Sequence, residues 1–249
     1  MQVVKEYHDS RHTMLFVGPP GSGKTTLACH LFGKENTISI AYDPKQLKAV
    51  GKIDALLMDP HRPWEDTIEA LAVLKRDFKH KKCITVSDMT HMSRQLLYAE
   101  PKGKDVRRAY AMAIDKLRQF IEKLLTEFDQ HIIMEAVDMF IRDEEDKVMY
   151  TLPNVIGKDT FATELPGMVD HVFYVNLPKN VTEIVNGKPT TKVIRTILTQ
   201  ANGTALAKNR MNIAGEPRIL DISEVVMIED GSFANIEALR MKLLGTTAL

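Results

Sequence analysis

Gly18-Pro19-Pro20-Gly21-Ser22-Gly23-Lys24-Thr25 fills every position of the phosphate-binding pattern G-x-x-x-x-G-K-[ST]. Its glycines let the backbone wrap so that successive N–H groups point at phosphate oxygens. Lys24 would reach the β- and γ-phosphates, and the Thr25 hydroxyl would sit on Mg²⁺, with Thr26 next in the phosphate-binding set. The ligand expected is ATP with Mg²⁺. Asp88 closes the apolar run Cys83-Ile84-Thr85-Val86-Ser87, the form of a carboxylate that holds the metal directly or through water. Hydrolysis also needs a group that orients or deprotonates water. Asp43, at the end of Thr37–Tyr42, is the first choice, and Glu135 and Asp138 compete with it. Glu135 would alternatively sense the γ-phosphate. Far along the chain, Lys208-Asn209-Arg210 places two cations on one face of an extended segment. Such a pair would stabilise charge on a transferring phosphoryl group.

These groups need a scaffold. The flanks of the loop are a buried strand, Met14–Val17, and a helix from Thr26 to Phe32. Apolar runs then alternate with helical stretches, which predicts a parallel sheet with crossover helices. Strands are expected at 37–42, 55–58, 83–87 and 131–137. Helices are expected over 64–78, with Ile68, Leu71, Ala72 and Leu74 on one face, and over 106–128. Beyond Arg142–Lys147 the texture changes. Residues 150–166 read as an irregular excursion. Residues 171–175 and a hairpin about Asn186-Gly187, returning over 193–198, read as antiparallel additions at one sheet edge.

The order of these parts resembles the RecA/DnaB superfamily of P-loop ATPases, in particular the minimal phage-encoded RecA-like core ATPases of the single-strand-annealing recombinase type. GPPGSGKTT, SIAYDP, DALLMDP, CITVSDMT, HIIMEAV and AKNR carry the likeness over about residues 14–215. It implies an α/β RecA-like P-loop NTPase core, mainly parallel, with antiparallel edge strands. It implies a single domain over 1–249, with 1–13 a short arm and 216–249 a C-terminal extension packed on the core. It implies ATPase activity, DNA-stimulated, in a ring or filament with ATP between subunits, and a phage single-strand-binding or replication protein as a further partner. Single-stranded DNA would contact a first loop with Lys102, Lys104, Arg107 and Arg108, and a second with Lys147, Tyr150, Lys158 and Phe161. Two departures stand out. Asp43 stands where the family usually has Glu, and no Gln ends the 131–137 strand.

Bulk properties narrow the alternatives. The 33 basic and 33 acidic residues cancel, which excludes coating of nucleic acid by bulk charge alone and leaves room for a local basic groove. No apolar run would span a bilayer and the first residues do not read as a signal peptide, so a cytoplasmic location is expected. Cys29 and Cys83 read as small buried hydrophobes. Two other functions compete: a small-molecule or nucleoside kinase, for which residues 142–163 lack an arginine cluster, and a nucleotide-gated loader or regulator with little hydrolysis.

Overall fold

A computed structural model describes residues 11–101, 105–145, 147–158, 160–185, 188–210, 219–223 and 235–245. Its sheet strands are β1 (Thr13–Gly18), β2 (Thr37–Ala41), β3 (Asp54–Leu57), β4 (Cys83–Ser87), β5 (His131–Arg142), β6 (Val148–Pro153) and β7 (His171–Val175). A ribbon, β8 (Lys179–Val185) with β9 (Lys188–Ile194), precedes β10 (Thr196–Leu198) and β11 (Ile219–Asp221). The helices are α1 (Lys24–His30), α2 (Pro63–Asp77), α3 (Met89–Ala99), α4 (Val106–Glu127), α5 (Phe161–Met168) and α6 (Ile236–Leu244).

The nine-stranded sheet runs β11-β10-β7-β1-β5-β4-β2-β3, with β6 paired to β5. From β7 to β3 every neighbouring pair is parallel. β10 and β11 are antiparallel at one edge, as expected, and β6 is antiparallel to β5. Strands buried on both faces carry continuous apolar runs, which is why the central strands were legible. Their residues alternate between two cores. Leu15, Val17, Ile132 and Met134 face the helices α2 to α5, whereas Met14, Phe16 and Ile133 face α1 and α6. The sheet is thus covered by helices on both sides.

Four expectations need correction. β7 is not an antiparallel edge addition but a parallel neighbour of β1. The ribbon joins no edge and forms a separate two-stranded sheet; its turn, Asn186-Gly187, lies outside the described residues. The excursion at 150–166 is ordered as β6 and α5, whose Pro166 lies inside the helix. The buried face of α2 is Thr67, Ala70, Leu71 and Leu74, while Ile68 is 40% exposed and Ala72 is exposed. Thr67 is tolerated in the core because its hydroxyl donates to the Pro63 carbonyl (2.5 Å) and meets the Tyr42 hydroxyl (2.6 Å).

Candidate active site

β1 ends at Gly18, where the chain turns into the loop. A Cβ on Gly18 would lie 2.3 Å from the Val175 carbonyl oxygen, so only glycine lets the loop sit against β7. Gly21 and Gly23 have φ of 80° and 91°, the left-handed region, and Gly23 is the N-cap of α1. Nothing lies within 4 Å of a Cβ built at either glycine, so backbone shape and not crowding requires them. Lys24 is buried, and its Nζ donates to the carbonyls of Gly18 (2.7 Å) and Pro19 (2.9 Å) and approaches Ser22 Oγ (3.4 Å). Burial lowers its pKa, against the pull of Glu135, Asp88 and Asp138.

Two carboxylates meet beneath the loop. β5 lies between β1 and β4, and Glu135 on β5 pairs in register with Phe16 on β1. That position brings Glu135 between the loop and Asp88. It is 1% exposed and accepts hydrogen bonds from the hydroxyls of Thr25 (2.6 Å) and Ser87 (2.7 Å). Burial pushes its pKa up to about 7, against those two hydrogen bonds. Asp88 follows β4 across a cis peptide bond. One oxygen caps α3 by accepting from the Thr90 amide (2.7 Å). The other accepts from Gln46 Nε2 (3.2 Å) and lies 3.4 Å from His91 Nδ1. Burial alone would raise the Asp88 pKa, but the His91, Thr90 and Gln46 bonds outweigh it and hold it below its usual value.

The cleft between these groups encloses about 310 Å³ and is lined by Gly21, Lys24, Thr25, Gln46, Asp88, His91 and Glu135, among others. Gln46 and His91 were not singled out in the sequence. Gln46 sits on a 3₁₀ turn, Pro44–Ala49, capped by Asp43, and its Oε1 also lies 3.5 Å from Thr25 Oγ1. The Asp43-Pro44 pair signals such a turn start, and it would have directed attention three residues on. His91 is three residues into the helix that Asp88 caps, so it faces the same side.

The donor set suits a triphosphate and Mg²⁺. Thr25 and an ionised Asp88 are hard oxygen donors lining a cleft whose loop glycines leave open space. A larger cleft of about 570 Å³ lies elsewhere, lined by Arg11, Lys75, Lys79, Lys81 and Lys82. There Lys75 pairs with Glu127, Lys81 with Asp54, and Arg11 with two main-chain carbonyls, so most of its charge is already used.

The sequence model of the AAA domain matches residues 10–211, most of the chain. The chain belongs to the AAA-domain family. AAA-domain proteins are P-loop ATPases, which in general use ATP and Mg²⁺. Among solved structures this AAA-domain protein is similar to one described as the RadB recombinase, at 14% identity and a TM-score of 0.41, over 75% of this chain and 79% of that one. No curated protein matches it.

The remaining site residues are placed as follows. Asp43 does not line the cleft. Its carboxylate accepts from the Lys45 amide (3.1 Å) and lies 4.0 Å from His91 Nε2. Asp138 accepts from the Tyr174 hydroxyl (2.6 Å). Lys208 pairs through its backbone with Val172, and Arg210 reaches Asp170, which also binds Thr13. Thr13 opens β1 and Gly18 ends it, about 17 Å apart at strand rise. The structure therefore does not bring Arg210 to its own phosphate loop. Asn209 anchors the segment, bonding His171 (2.7 Å) and the Leu243 carbonyl (2.9 Å).

Of the expected DNA contacts, Lys102 and Lys104 lie outside the described residues. Arg107 and Arg108 are exposed in the first turn of α4, and Lys147, Tyr150 and Lys158 are exposed or partly so. Phe161 is the exception: it is fully buried in α5 and has no face to offer a base. Phe140, 49% exposed on the β5–β6 hairpin, is an exposed aromatic that the sequence did not single out. Among the described residues no helix is long and apolar enough to cross a membrane.

Proposed function

We propose that this AAA-domain protein hydrolyses ATP with Glu135 as the proton acceptor and couples the cycle to single-stranded DNA. The observation that carries the hydrolytic half is the pairing of two unlike carboxylates in one cleft. Asp88 is held ionised, fit to bind a cation with Thr25, while Glu135, with a pKa of about 7, can take up a proton at neutral pH. Bound Mg²⁺ would draw charge from the phosphate oxygens. Lys24, released from the Gly18 and Pro19 carbonyls, would neutralise the same oxygens. Gln46 has both a donor and an acceptor in the cleft, which suits it to orient a water.

The DNA half rests on the β5–β6 hairpin. It continues the strand that carries Glu135 and exposes Phe140 and Tyr150, aromatic faces on which bases stack. The role would lie in phage recombination, annealing or replication, with one ATPase domain per chain in a cytoplasmic ring or filament. A single-strand-binding or replication protein of the phage would be its further partner. Since Arg210 lies far from its own loop, Lys208 and Arg210 would act on a neighbour's nucleotide.

Two measurements test this. ATPase activity should rise on adding single-stranded DNA; a monomer whose activity ignores DNA would refute the coupling. Lys24→Ala and Lys208→Ala proteins should each be inactive, yet an equal mixture should regain about a quarter of full activity, the share of interfaces joining two intact halves. No recovery on mixing would refute action in trans.

A further inference from the structure

The ribbon β8–β9 is solvent-exposed along its length and forms its own two-stranded sheet. A lone two-stranded ribbon is marginal in water. Its two faces differ in kind. Pairing sets Val181 opposite Lys192 and Glu183 opposite Thr190, so period-two alternation puts Lys179, Lys188 and Lys192 on one face with Glu183 as the only acid. The other face, Asn180, Thr182 and Ile184 with Pro189, Thr191 and Val193, carries no charge. In a chain with zero net charge, these three lysines form no salt bridge among the described residues; Lys192 acts on Asp221 only through space, helping to lower its pKa.

The place of the ribbon matters as much as its charge. It leaves the sheet at the end of β7, where the Val175 carbonyl packs against Gly18. Its base is clamped by Asn176, whose amide bonds the Thr196 carbonyl (3.1 Å) and whose side chain bonds the Thr196 hydroxyl (3.0 Å). On the other side of β1, β5 runs up into the hairpin that bears Phe140 and Tyr150. The phosphate loop thus lies between a cationic ribbon and an aromatic hairpin, both rising from the carboxyl ends of parallel strands.

We infer that the lysine face of the β8–β9 ribbon binds the phosphodiester backbone of single-stranded nucleic acid. This rests on the DNA reading proposed above and extends it to a surface outside the two loops expected from the sequence. The aromatic hairpin takes the bases, and the ribbon takes the charge. Contact between Val175 and Gly18 gives the ribbon a direct mechanical link to the nucleotide site.

The test compares the wild type with a Lys179→Ala, Lys188→Ala, Lys192→Ala triple variant, titrated with fluorescent oligo(dT) in the presence of an ATP analogue over a range of salt. Three fewer phosphate contacts should make the slope of log affinity against log salt shallower by about 2. Between about 50 and 200 mM salt the affinity advantage of the wild type should therefore shrink about 15-fold. An Ile184→Ser variant, on the uncharged face, should match the wild type. DNA-independent ATPase activity and thermal melting should be unchanged in both, since all four side chains are exposed. If the wild type binds oligo(dT) and the triple variant shows the same affinity and slope, the ribbon inference fails and the DNA reading survives. If the wild type binds no oligo(dT), both fail. If the triple variant loses self-assembly instead, the ribbon is a protein contact and the inference is overturned.

Discussion

Glu135→Gln should stabilise the nucleotide-free protein at alkaline pH and do little at acid pH. The carboxyl is 1% exposed, and burial raises its pKa from 4.5 to about 7. The folded state therefore keeps a proton that the unfolded chain has lost. Stability falls as pH rises from about 4.5 to about 7, and the loss is complete above that. At 1.36 kcal/mol per pKa unit, the full penalty is about 3 kcal/mol at pH 8.5 and under about 1 kcal/mol at pH 5. The amide is neutral throughout. Its oxygen can accept from one of Thr25 and Ser87, and its N–H can donate to the other, so the exchange of hydrogen bonds adds only a pH-independent offset. For a domain of this size, the alkaline gain is about 6–12 °C in Tm. The assay is thermal melting of both proteins with a metal chelator at the two pH values, read as the difference between them. A difference that is the same at pH 5 and pH 8.5 would refute the placement of a proton on Glu135.

Further substitutions separate the roles of the cleft residues. Gln46→Ala should cut kcat about 100-fold, the loss typical of one oriented donor, with ATP affinity little changed; Asp43→Ala, outside the cleft, should stay within about threefold. Equal losses would return Asp43 to the reaction. Phe161→Ala should destabilise by about 3–5 kcal/mol in denaturant unfolding, because the ring is fully buried in the core. Phe140→Ala should leave stability within about 0.5 kcal/mol while weakening oligo(dT) binding by about 1–3 kcal/mol. Gly18→Ala should lower Tm and abolish nucleotide binding, since its Cβ meets a main-chain oxygen that cannot swing aside.

How much of this was legible depended on whether the signal was local. The phosphate loop needs contiguous residues, and Lys24, Thr25 and Asp88, singled out from motif alone, line one cleft in the structure. The central strands were found because burial on both faces leaves unbroken apolar runs. The direction of β7 was not, because which strand it pairs with is written in β1 and not in its own residues. The helix α5 was hidden by Pro166, and α3 began unmarked because Asp88 was read for its metal and not for its cap. Glu135 was one of three competing acids, and only the sheet order, with β5 between β1 and β4, brings it into the cleft. The same holds for Gln46, whose neighbours Thr25 and Asp88 are 21 and 42 positions away.

The hydrogen bonds within the cleft tie its polar groups to one another. Each group expected to meet ATP or Mg²⁺ is already engaged: Lys24 with loop carbonyls, Thr25 with Glu135, Asp88 with Gln46 and His91. None of these buried polar groups is left unsatisfied, which holds the cleft in shape. Binding must then exchange one set of bonds for another, and the exchange has a direction. Once the Thr25 hydroxyl turns to a cation, Glu135 loses one of its two donors but gains a positive charge nearby, and that charge favours its ionised form. Loading the cleft would thereby set Glu135 as a carboxylate, the form that accepts a proton, in the same movement that positions the phosphates. It would also free the Gly18 carbonyl from Lys24, beside the contact of Gly18 with Val175 at the base of the ribbon.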